Sequence, residues 1–215
     1  MSEASLQFLF LIHDTANKIQ FLPAEMELVS SPYIILTKNA ILQKIKSFLE
    51  ELQLKQQEIL QKYSSHLPAA PLKISSKISR GENYKGLPWL VLDNPRYFQH
   101  NNIFAIRTMF WWGNFFSVTL HLSGNNKTDL LKKIADHFSL LGESHFYIYT
   151  GEKEWEHDMD PSSYKRISSL NNDDLEKVIT ENSFLKLAVK FPIESLEAIE
   201  DKLLRNFELL VKCCC

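Results

Sequence analysis

Cysteine is scarce in this chain: there are three, and all stand together at Cys213-Cys214-Cys215. A cluster at one place cannot staple a core, so the fold is expected to stand without disulfides, which suits a reducing compartment. The cluster lacks the C-a-a-X pattern of a prenylation signal. Frayed free thiols are expected there, since chain ends are usually poorly ordered. Long apolar runs are missing too, and nothing approaches the ~20 residues that span a bilayer. The nearest candidate for a secretory leader, Phe8-Leu9-Phe10-Leu11-Ile12, follows Glu3 where a positive charge belongs and ends at His13-Asp14. No small-residue cleavage site comes after it. An excess of positive charge is also absent: the formal net charge is −2, which disfavours nucleic acid and anionic lipid as partners. These absences describe a soluble cytoplasmic protein.

Chemical signatures are missing as well. No serine sits in a G-x-S-x-G elbow, and no glycine-rich phosphate loop occurs. The seven histidines show no H-E-x-x-H or other ligand spacing. Glu154, Glu156, His157, Asp158 and Asp160 crowd one stretch, but Pro161 and the missing loop glycine depart from a calcium loop. A solvated acidic loop is expected there, and neither a metal nor a cofactor.

What the chain does have is an ordinary globular balance, 45% apolar and 23% charged, with 14 Phe and 4 Trp among 215 residues. That length can bury one full core. A single domain, 1–215, is expected, made of an N-terminal helical pair (1–67) and a sheet-and-helix body (72–215). Leu9, Ile12, Ala16 and Ile19 share a helical face. Ile41, Ile45, Phe48, Leu52, Ile59 and Tyr63 mark a longer helix opened at Ser31-Pro32 or Thr37. Pro68-Ala69-Ala70-Pro71 reads as a seam.

Beyond residue 72 the period changes. Leu87–Asp93 reads as a strand ended by Asn94-Pro95. Leu130, Leu131, Ile134 and Phe138 mark a helix, His145–Thr150 a short strand, and 172–181 another helix. Phe184–Phe191 alternates as a half-buried strand with Lys186 and Lys190 on a wet side. Pro192 opens a last helix with Leu196, Ile199, Leu203, Phe207 and Leu210 inward. The fold class is therefore α+β: a mostly antiparallel sheet built around a 103–123 hairpin, with helices packed on one face.

Gly113-Asn114 between two aromatic-rich runs is a two-residue hairpin signal. Centring the turn there pairs Trp111 with Phe116, Met109 with Val118, Arg107 with Leu120 and Ala105 with Leu122. Arg107 then intrudes on an apolar core face and needs a partner, for which Asp93 is the first candidate. His121 falls on the opposite, polar face with Ser117 and Thr119. Arg80-Gly81-Glu82-Asn83-Tyr84-Lys85-Gly86 reads as a polar loop, and with Arg96 it supplies cationic and aromatic groups near one strand.

The run Tyr84-Lys85-Gly86-Leu87-Pro88-Trp89-Leu90-Val91-Leu92-Asp93, with Pro95-Arg96 and Arg107-Thr108-Met109-Phe110-Trp111-Trp112-Gly113-Asn114, resembles a family of uncharacterised bacterial proteins. The resemblance implies a bacterial cytoplasmic protein and carries no activity with it. From the residues themselves, the leading expectation is binding of a small anionic molecule or a protein partner through Arg107, Arg96, Tyr84, Asp93 and His121. An enzyme using Arg96, Arg107 or His121 is the alternative. A third reading is assembly through Trp112 and Phe115 at the hairpin tip.

Overall fold

The computed structural model describes residues 19–99, 101–196 and 198–215. Two compact units are distinguished, Met1–Ile41 and Leu42–Cys215. The first contains helix α1 (Pro23–Ser30) and the start of α2 (Pro32–Lys62), so an N-terminal helical pair is present. Each begins at a proline, where the missing N–H would be unsatisfied anyway. The helical face at Leu9, Ile12 and Ala16, like the apolar run Phe8–Ile12, lies outside the described residues.

The second unit is α+β. Its strands are β1 (Lys77–Tyr84), β2 (Leu87–Gln99), β3 (Asn102–Trp111), β4 (Phe115–Ser123), β5 (Tyr147–Tyr149), β6 (Tyr164–Arg166) and β7 (Phe184–Pro192). They form one sheet in the order β1-β2-β3-β4-β7-β5-β6, and every pairing is antiparallel. The helices are the remainder of α2, a short α3 (Ala69–Leu72), α4 (Gly124–Ala135), α5 (Phe138–Glu143), α6 (Asn172–Glu181) and α7 (Ile199–Cys213). They supply one large core with the sheet: Leu49, Leu52, Ile134, Leu203 and Phe207 meet Leu92, Ile106, Phe116, Leu120 and Leu187. Gln56 is fully buried in this layer and donates to Thr108 Oγ1 at 3.0 Å, which satisfies two polar groups inside an apolar contact. Among the described residues no helix is long and apolar enough to cross a membrane.

Several local expectations change. The Asn114 N–H closes on Trp111 O at 3.1 Å, which makes Gly113, at φ +70°, the third residue of a four-residue turn. The loop is therefore Trp112-Gly113-Asn114. The partners become Trp111 with Phe115, Met109 with Ser117, Arg107 with Thr119 and Ala105 with His121. A slip of one residue turns a strand over. Phe104, Ile106 and Phe110 thus face the helices, while Arg107 lies on the same face as His121. β2 also runs on past Asp93 to Gln99, absorbing Asn94-Pro95 as a bulge between Asp93 and Arg96. The polar stretch from Arg80 to Tyr84 belongs to edge strand β1, and the seam expected at 68–71 falls on the helical turn Ala69–Leu72, with Pro71 buried.

Candidate functional site

The sheet face turned away from the helices is covered by the segment 150–163 between β5 and β6. The strand register lays polar residues across it in rows. One row runs Asp93, Arg107, Thr119, Ala188; the next runs Arg96, Ala105, His121, Lys186. Around them Val91, Met109, Tyr149, Met159, Tyr164 and Phe184 form a second, smaller apolar cluster. A charged patch is thereby enclosed by aromatic and aliphatic walls.

Arg107 is held from two sides. Its Nε and Nη2 donate to Asp93 Oδ1 and Oδ2 at 2.7 and 3.0 Å, a forked pair that joins neighbouring strands. Its Nη1 lies 2.9 Å from His157 Nε2. Arginine offers only donors, so His157 accepts there as a neutral imidazole with its proton on Nδ1. Burial, with Lys186 and Arg107 nearby, holds the His157 pKa well below its usual value. The His157 backbone N–H donates to the Tyr84 hydroxyl at 2.7 Å, and the Tyr84 ring packs edge-on against Trp111.

Lys186 lies in β7, between β4 and β5, and is wholly buried. Its ammonium donates to the carbonyls of Glu154, at 3.0 Å, and Glu156, and stands over the Tyr149 and Tyr164 rings. Burial, reinforced by Arg107, brings its pKa down to about 7 against the opposing pull of Glu154, Glu156 and Asp158. The Tyr149 and Tyr164 hydroxyls donate to the carbonyls of Lys153 and Glu156, both at 3.0 Å. The acidic segment is thus hung from the sheet by its backbone, and Lys85 pairs with the carboxylate of Asp158. It is a roof, where a solvated loop was expected. Among the described residues no group of His, Cys, Asp and Glu is arranged to hold a metal ion.

His121 forms the second centre. Burial first, then Lys186 and Arg107, lower its pKa to about 3, so the ring is neutral. Its Nε2–H donates to Glu154 Oε1 at 2.9 Å, and burial raises the Glu154 pKa. The His121 ring meets Trp155 edge-on, with centroids 5.3 Å apart. Glu154 and Trp155 also line a cleft of about 640 Å³ together with Phe98, Ile103 and Ser123. Phe98 and Trp155 stand 6.0 Å apart between centroids. The Ser123 hydroxyl is buried without a hydrogen-bond partner among the described residues. Gly124, at φ +58°, completes this corner, where a Cβ would lie 2.2 Å from Asn101 O. Among the described residues the lining holds one acidic side chain, Glu154, and no basic one.

Of the sequence-derived site residues, Asp93, Arg107 and Tyr84 form one chain through His157, and His121 lies on the same face one row away. Arg96 begins the His121 row and takes no part in the Arg107 chain; its guanidinium stands over the Phe98 ring, 6.0 Å from the centroid. Lys186, His157, Glu154 and Trp155 were not anticipated as members. The alternation of β7 marked Lys186 together with Lys190, but as residues of a wet side. Nothing in the 152–163 stretch marks which of its acids turns inward. No protein family and no curated protein matches the chain.

Proposed function

We propose that the protein binds a small organic molecule carrying a protonated amine on an apolar body, held in the cleft between Phe98, Trp155 and Glu154. The observation that carries this reading is the Glu154 carboxylate, fixed by the neutral His121, beside two aromatic rings in a cleft lined by no cationic side chain among the described residues. A cation gains there from the carboxylate and from the Trp155 ring, while Arg96 already stands over Phe98. Ser123 supplies a hydroxyl in want of a partner. An anionic ligand has less support, because each nitrogen of Arg107 is already engaged by Asp93 or His157. Catalysis has less support as well, since His121 spends its Nε2–H on Glu154 and, among the described residues, no base reaches the Ser123 hydroxyl. Three free thiols and the resemblance of the 84–114 region favour a reducing, bacterial cytoplasmic setting.

Calorimetric titration with phenethylamine, 2-phenylethanol and phenylacetate tests the charge preference. Phenethylamine is expected to bind with quenching of Trp155 fluorescence, the alcohol more weakly and the acid not at all. Glu154→Gln should weaken the amine about tenfold, or ~1.4 kcal/mol. Equal binding of all three probes, or an unaffected Glu154→Gln protein, would sink the assignment.

A further inference from the structure

Among the described residues, 19–41 carry an excess of exposed apolar surface. Of the fifteen large hydrophobic side chains exposed among the described residues, eleven lie between Ile19 and Ile41. Tyr33, Ile34, Ile35 and Leu36 are 74%, 44%, 55% and 63% exposed and occupy four successive positions of α2. Successive helical residues are 100° apart, so these four point to every side. In α1, Leu28 and Val29 are more than half exposed, and no residue of that helix is buried. A helix apolar all round needs to be enclosed, and one flat partner surface cannot enclose it.

We propose that this segment joins two copies of the chain, each contributing α1 and the first turns of α2 to a four-helix bundle. Four short apolar helices enclose one another in a way that none achieves alone. The eleven side chains offer on the order of 1,000 Å² of apolar area, against the ~800 Å² that each partner buries in a standard interface. Charge favours a protein partner over lipid. Between residues 19 and 41 stand two glutamates, Glu25 and Glu27, and one lysine, Lys38. Helices that lie on anionic membranes instead carry a lysine- and arginine-rich face. The proposal rests on residues 19–41 alone and does not depend on any ligand of the Glu154 cleft.

Sedimentation equilibrium of the full chain at micromolar concentration is the test, run beside Leu28→Glu/Ile35→Glu and Tyr33→Lys/Leu36→Lys variants. The wild type is expected at twice the chain mass and both variants at the single mass, with similar circular dichroism and an unfolding midpoint that no longer depends on protein concentration. All four positions are exposed, so the variants keep their fold. The proposal is overturned by a wild-type monomer, or by variants of both charges that still dimerise. It is equally overturned if wild-type protein stays monomeric and co-floats with phosphatidylcholine vesicles, which assigns the segment to lipid.

Discussion

At the scale of single residues, Arg107 and Asp93 show how far sequence reasoning reaches. A lone arginine in an apolar strand demands a carboxylate, and the acid ending the neighbouring apolar run is the one found. Arg107→Met leaves Asp93, 5% exposed, without its fork. It should cost about 3 kcal/mol in urea unfolding, because a buried charge loses its compensation. Asp93→Asn should cost less, since Arg107 keeps His157 and some access to water. The double variant Asp93→Leu/Arg107→Met should recover part of the sum. Strict additivity would show that the two are not coupled. His121 sets a pH dependence of its own. Its folded pKa of about 3 lies below the ordinary 6.5, so between those values the unfolded chain takes up a proton that the folded one refuses. Its contribution is fully present above pH 6.5 and is lost as pH falls toward 3, on the order of 5 kcal/mol in all. His121→Gln keeps a donor for Glu154 and should flatten that part of the stability profile. An unchanged slope would mean that His157 and the carboxylates account for all of it.

Among elements, periodicity named the strands well and their faces less well. In β7 the alternation of Leu185, Leu187 and Val189 against Lys186 and Lys190 was legible. Which side was wet was not, because that depends on β4 and β5 at its flanks and on the segment 150–163 above it. The hairpin erred by one residue for a local reason: Gly-Asn suits a two-residue loop, yet the closing hydrogen bond starts at Trp111. That single step placed Arg107 and His121 on opposite sides, and the same step corrected reunites them. The roof is the least legible element, since a run rich in Glu and Asp reads as solvated until its carbonyls are seen to be the anchored part. Lys186→Met tests the anchoring. Methionine keeps the stem between Tyr149 and Tyr164 but removes the donors to the carbonyls of Glu154 and Glu156. Amides 152–158 should exchange faster, and trypsin should cut sooner after Lys153, whose side chain is 81% exposed. Global stability should fall by ~1–3 kcal/mol. Unaltered exchange would show that the tyrosine hydroxyls suffice to hold the roof.

On the scale of the whole second unit, the α+β layering followed from composition and period, because helices with one apolar stripe need a sheet to cover. Its closure at α7 did not follow. Ile199, Leu203, Phe207 and Leu210 are buried as their spacing implied, but Leu196 is 51% exposed because the helix begins only after Ala198 at φ +58°. The thiols depart further from expectation. Cys213 and Cys214 have no exposed surface and belong to the main core, and the Cys215 thiol donates to Val211 O at 3.2 Å. Burial, together with Cys215, pushes the Cys213 thiol up to about 12, and burial raises Cys214 as well. Thiolates, not thiols, react with disulfide reagents, so these two should be silent in the folded protein. Ellman's reagent is expected to titrate at most Cys215 under native conditions and all three thiols in guanidinium. A Cys215→Ser protein should stay unreactive until the unit opens, and its labelling rate should track global unfolding as denaturant is raised. Prompt reaction of all three thiols in native buffer would mean that α7 frays before its last turn, and that the core closes without it.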